Sequence, residues 1–142
     1  MKKLLSFLAG DILDENIGLL LLRVVSGGAM MTHGFPKILA GPGWWGKTGG
    51  IMASIGVPGP AVLWGFMAAL AESAGALGLA LGFLTRLSAS SITIAMSVAA
   101  FVYHAGDSFE VREKALLYLF ISLFYAIKGP GRVSVDRWIK GA

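Results

Sequence analysis

Apolar residues along this chain fall in long unbroken runs rather than in alternation with polar ones. The first run extends from Ile17 to about Leu39 and is interrupted by Arg23 and His33. The second, Ala61 to Leu84, carries Glu72 as its one charge, and the third, Leu87 to about His104, carries none. A helix needs about 20 mainly apolar residues to cross a bilayer, so each of these predicts a membrane span. The fourth run is shorter. Its uncharged stretch, Ala115 to Ile127, rises only about 20 Å against a hydrocarbon core of about 30 Å. Extending it back to Val111 restores the length but draws Arg112, Glu113 and Lys114 to the boundary. The pattern therefore predicts an all-α membrane four-helix bundle, a single domain over 1–142, with spans at about 17–39, 61–84, 87–104 and 111–128.

Polar residues inside the runs recur at helical spacing, which is the second signal. With 3.6 residues per turn, Arg23, Ser26, Gly27, Met30, His33, Gly34 and Lys37 share one face of the first span. Glu72 has Ala68, Ala69, Gly75 and Ala76 as its one-turn neighbours, a small face that permits close helix approach. Arg86, Ser90, Thr93, Ser97 and His104 form a stripe on the third span; Lys114, Tyr118, Ser122 and Tyr125 form one on the fourth. Four helices with one polar and one lipid-like face each describe a bundle with a polar interior.

The segments outside the spans add detail. Lys2 and Lys3 followed by Leu4, Leu5, Phe7 and Leu8 imitate a secretory signal. The apolar part is too short, and Asp11, Asp14 and Glu15 stand where a cleavage site belongs, so an interfacial N-terminal helix is expected instead. Between the first two spans, Gly41-Pro42-Gly43 reads as a helix breaker, and Trp44-Trp45 suits the membrane–water boundary. Thr48 to Ile55 reads as a short helix, serving as an interfacial anchor or as a lid. The second and third spans join through a tight turn at Thr85-Arg86.

Composition agrees with the membrane and narrows the chemistry. Of 142 residues, 56% are hydrophobic and only 14% charged, and mean hydropathy is +0.73. A soluble domain carries about 25% charged residues. The net charge of +4 is expected to record basic residues facing the cytoplasm rather than nucleic-acid binding. Placing both termini in the cytoplasm puts Lys2, Lys3, Arg86, Lys128, Arg132, Arg137 and Lys140 inside and Lys37, Lys47, Arg112 and Lys114 outside, seven against four. The absence of cysteine removes disulfides, thiolate metal sites and cysteine nucleophiles from this chain.

Charges at membrane depth are expensive and mark functional sites by default. Arg23 and Glu72 are expected to pair, with depths differing by about 7 Å on straight helices, a gap an arginine can span. His33 and His104 lie near the same end of the bundle on inward stripes. They suit hydrogen bonding or proton handling; bis-histidine haem ligation, or a metal shared with Asp107 or Glu110, is the minor alternative. The expected site is one cavity, open toward the exterior half of the bilayer, in which Glu72 and His33 handle protons and Arg23, His33, Lys37, Glu72 and His104 contact a ligand. A carbonyl-bearing or anionic ligand suits these donors.

Several short motifs, in order, resemble the DoxX family of small four-helix bacterial membrane proteins. They are Leu22-Arg23-Val24 with His33-Gly34 and Lys37; Gly56-Val57-Pro58; Glu72 with Gly75; Leu81-Gly82-Phe83-Leu84-Thr85-Arg86; and Gly129-Pro130-Gly131-Arg132-Val133-Ser134-Val135-Asp136. The likeness runs from about Ile17 to Asp136. It implies an inner-membrane location and a role in membrane oxidoreductase complexes of sulfur or oxidative-stress chemistry, since the family includes a quinone-linked thiosulfate-oxidising subunit. It also carries over Arg23, His33 and Glu72 as the recurring polar positions. Quinone is then the expected diffusible acceptor and soluble redox proteins the expected partners. A non-enzymatic carrier or receptor for a small amphipathic molecule, and a scaffold for soluble enzymes, are the alternatives.

Overall fold

The computed structural model describes residues 15–141 and is helical throughout its regular structure. The interfacial helix expected over residues 1–10 lies outside the described residues. Helix α1 spans Glu15–Leu39, α2 Gly41–Gly49 and α3 Ile51–Ser54. Helix α4 runs Ala61–Leu81 with a π-helical turn at Ala71–Gly75. Helix α5 runs Thr85–Tyr103 and ends in a second π-helical turn, Ala99–Tyr103. Helix α6 is Phe109–Lys128 and α7 Val135–Ile139.

Helices α1, α4 and α5 are long and apolar enough to cross a membrane. Helix α6 is 20 residues long, but its first turns hold Glu110, Arg112, Glu113 and Lys114. Leucines, valines and phenylalanines cover the outside: Val25, Leu87, Ile94, Phe120 and Ile127 are all exposed. In water this surface would be an aggregation site; against lipid it is the expected one. The chain is a helical membrane bundle.

The core is built from small and medium side chains, among them Met30, Ala76, Leu79, Ile92, Met96 and Leu119. Helix α1 packs on α4, α4 on α5, and α5 on α6, while α6 meets α1 more sparsely. Thin contact along the α1–α6 seam leaves room there for a cavity. The face of α1 that is buried includes Arg23, Ser26, Gly27, Met30 and Gly34, in line with the expected stripe. On α5 the buried face is Thr85, Ser88, Ala89, Ile92 and Met96 instead, leaving Arg86 exposed and Ser90, Thr93 and Ser97 at its margin. Small side chains let α5 press against both α4 and α6, and close packing outranks polarity in choosing the face.

Two connections differ from expectation. Gly41-Pro42-Gly43 does not break the chain into a loop; Gly41 takes a positive φ of 78° and Pro42 falls in the first turn of α2, where its missing N–H costs nothing. Helix α2 then packs along the first half of α4, with Trp45 edge-on to Phe66 at 5.0 Å. The turn between α4 and α5 is Gly82-Phe83-Leu84, three residues earlier than expected, and Thr85 already begins α5. Gly82 (φ 68°) and Leu84 (φ 44°) are both left-handed. For Leu84 this costs about 1–2 kcal/mol, so something must hold it.

Candidate functional site: an ion pair between two cavities

What holds that turn is Asp136. Its carboxylate accepts from Leu84 N at 2.7 Å, Thr85 N at 2.8 Å and Thr85 Oγ1 at 2.7 Å. The C-terminal segment is thereby laid under the turn, and Arg23 completes the joint. The Arg23 side chain is 1% exposed and points to three backbone carbonyls: Nε donates to Ala80 O at 3.3 Å, Nη1 to Pro130 O at 2.6 Å and Nη2 to Val133 O at 2.8 Å. Tyr125 adds a hydrogen bond to Leu19 O at 2.6 Å. A Cβ on Gly82 would collide with the Arg23 guanidinium and the Ser134 side chain, so this position is closed to anything larger.

The expected Arg23–Glu72 pair is therefore absent, and helix register explains why. Gly34 lies so close to the Glu72 backbone that any Cβ would overlap it. That contact fixes α1 against α4 and sets Arg23 beside Ala80, which lies about 12 Å along the helix from Glu72. Even a long arginine does not bridge that gap while anchored at its own end. Arg23 lines neither cavity beside Glu72.

Glu72 takes Lys37 instead. Lys37 Nζ donates to Glu72 Oε2 at 2.5 Å, with the carboxylate side chain 7% exposed and the lysine 33%. The π-helical turn of α4 presents Glu72; such widened turns inside helices recur at functional sites. Lys37 also stands 5.8 Å over the Trp44 ring, and its carbonyl accepts from Trp45 Nε1 at 2.9 Å. A partly desolvated ammonium thus has a carboxylate on one side and an aromatic face on the other.

This pair forms a shared wall between two cavities. One, about 150 Å³, opens at the α1–α6 seam and is lined by Met30, His33, Lys114 and Tyr118 beside Lys37, Glu72 and His104. The other, about 290 Å³, lies under α2 and is chiefly apolar and aromatic, with Trp44, Trp64 and Tyr103 beside the same Lys37, Glu72 and His104. Four of the five expected contact residues, His33, Lys37, Glu72 and His104, are brought together. His33 meets the Tyr118 ring edge-on at 6.4 Å, and His104 Nδ1 is 2.6 Å from Asp107 Oδ2. Among the described residues no group of three His, Asp or Glu side chains converges as a metal site.

Three features escaped the sequence reading. Lys114 and Tyr118 were visible as a stripe on α6, but nothing local said that the stripe faces His33. The two π-helical turns leave no residue-type signature. Trp44, expected at the membrane boundary above the cavity entrance, lines the larger cavity, and its place under Lys37 was not foreseen.

The comparisons with known proteins bear on this geometry directly. The DoxX family model matches residues 18–105, which include Arg23, His33, Lys37, Glu72 and His104. The chain belongs to the DoxX family. Among its relatives is the inner membrane protein YqjF of Escherichia coli (strain K12), 33% identical over 130 residues, covering 87% of this chain and 92% of that protein. No solved structure matches it. With its apolar helices, this makes the chain a multi-pass inner-membrane protein of that family.

Proposed function

We propose that this DoxX-family chain is a quinone-interacting subunit of a membrane oxidoreductase complex linked to sulfur or oxidative-stress chemistry. The observation that carries the reading is the Lys37–Glu72 pair standing between a polar and an aromatic cavity. Lys37 supplies a charge-assisted donor for a ligand carbonyl or its reduced oxyanion. Trp44, Trp64 and Tyr103 offer flat apolar walls for a ring. Reducing a quinone to a quinol takes two electrons and two protons. The electrons come from a soluble redox partner in the complex; Glu72 and His33, which both line the smaller cavity, pass the protons. The sulfur and oxidative-stress link rests on the family resemblance.

We also propose that α6 is a fourth span, that both termini are cytoplasmic, and that the cavities open toward the exterior half of the bilayer. The seven-to-four division of basic residues supports this. Reporter fusions within 41–50 and at the C-terminus are expected on opposite sides, and same-side signals overturn it.

A photo-crosslinkable quinone analogue tests the site. Labelling is expected on α1, Trp44 or Trp64 and should fall in Lys37→Met and Glu72→Gln. Labels confined to the leucine-rich outer faces, unchanged in both variants, overturn the assignment. Labelling at the site combined with movement of the ligand across vesicles, and no quinone-dependent turnover with any redox partner, converts the reading to a carrier.

A further inference from the structure

At the end of the bundle away from Lys37 and Glu72, a third cavity of about 310 Å³ lies where α1 begins and α6 ends. Its walls include Asn16, Lys128, Arg132, Arg137 and Lys140, four cations against the two carboxylates of Glu15 and Asp136. Those carboxylates offset only half of the four positive charges, leaving a net charge of +2. Asp136 is engaged by Leu84 and Thr85, and Glu15 reaches Lys128 only at 3.9 Å with both groups solvated. Among the described residues, the side chains of Arg132 and Arg137 make no ion pair. The surplus positive charge faces an open, polar recess at the level where the apolar helices stop.

The same C-terminal segment borders a second, mostly apolar groove of about 420 Å³, lined by Leu20, Leu81, Val133, Val135 and Trp138 and by Arg23, whose guanidinium is held by main-chain carbonyls. Trp138 is 82% exposed and Ile139 61% exposed, beside the basic residues rather than apart from them. A free anion has no use for such a groove. A ligand with a phosphate at one end and acyl chains at the other uses both.

From these observations we propose that the recess binds the phosphate of an anionic membrane phospholipid through Arg132, Arg137 and Lys140, with Trp138 at the headgroup boundary and an acyl chain in the groove below. Basic residues near an anionic leaflet each contribute about 1 kcal/mol, a factor of about five in binding. The arrangement is independent of what occupies the Lys37–Glu72 cavities.

Native mass spectrometry of the full chain, delipidated in detergent and titrated with phosphatidylglycerol or acyl-matched phosphatidylcholine, tests the site. Phosphatidylglycerol should be retained preferentially, and Arg132→Gln with Arg137→Gln should weaken it on the order of 10- to 30-fold. Arg132→Lys with Arg137→Lys should keep most of the binding, which separates charge from folding, and Lys47→Gln at the other end should change nothing. Quenching of tryptophan fluorescence by a brominated phosphatidylglycerol should drop in Trp138→Phe. Equal retention of the two lipids, retention unaffected by the double Gln variant, or inorganic phosphate displacing the lipid completely would each overturn the proposal, the last in favour of a free-anion site.

Discussion

Helix α1 carries a cation toward each end of its inward face, Arg23 buried and Lys37 half-buried, and the two are used differently. Arg23 is enclosed by three carbonyls and touches no carboxylate within hydrogen-bond reach. Lys37 is one-third exposed, holds Glu72, and borders two cavities. At the Arg23 end, each of the three guanidinium nitrogens donates to an element that must be joined: α4, and two points on the C-terminal segment. At the Lys37 end, the ammonium donates to the single carboxylate of Glu72, and open volume lies beside the pair. A charge within the membrane can be a joint or a site, and the difference lies in whether its partners come from the chain or leave space for something else.

That comparison fails most visibly if Arg23 is dispensable. Arg23→Leu should destabilise the protein by about 3–5 kcal/mol, because three inward carbonyls lose a charged donor in low dielectric. Thermal unfolding in detergent reads this directly; a change below about 1 kcal/mol would show that the joint is ornamental. Removing the chain beyond Gly129 should have a comparable cost, since it takes away Pro130 O, Val133 O and Asp136 together. Loss of function on trimming this tail is therefore no sign of a scaffold.

Gly34→Val should cost a comparable amount, because its Cβ would overlap the Glu72 main chain and force α1 and α4 apart, displacing the Glu72 turn and with it any binding at the cavities. Glu72→Gln sharpens the contrast from the other side. Its lysine partner is one-third exposed and can turn to water, so stability should fall less than in Arg23→Leu while ligand labelling falls severalfold. Equal damage to stability from Arg23→Leu and Glu72→Gln would erase the distinction between the two ends.

The effect at Asp136 depends on pH. Burial pushes its carboxyl upward, but hydrogen bonds from Thr85 N, Thr85 Oγ1 and Leu84 N, with the charge of Lys140, outweigh burial and hold it below the ordinary carboxylate value of 3.8. A group with a depressed folded-state pKa stabilises the fold above its unfolded value and loses that contribution as pH falls through the folded one. Wild-type stability should thus decline as pH drops below about 4, and Asp136→Asn should flatten that part of the profile. At neutral pH the same variant should cost about 0.5–2 kcal/mol, the scale of a lost helix cap.

Much of this was legible along the chain. Runs of about 20 apolar residues leave little choice but spanning helices, because backbone groups in lipid must pair within their own segment. The α1 stripe followed from a rotation of 100° per residue, Arg23 and Glu72 stood out as charges at membrane depth, and His33 and His104 fell on inward stripes near one end. The α5 face was misjudged because polarity ranked Arg86 and Ser90 above Ala89 and Ile92, while contact between helices ranks size first.

By itself the sequence determined the membrane as solvent, the helical class, the approximate spans and which side chains are costly enough to need partners. Only the tertiary structure decided which partners those are. Whether Glu72 meets Arg23 or Lys37 depends on a register set by the contact of Gly34 with the Glu72 backbone, a distance between two helices that neither helix encodes alone. The acceptors of Arg23 are main-chain carbonyls of Pro130 and Val133, and every residue carries one. A carbonyl becomes a specific partner only when the chain has folded back to aim it.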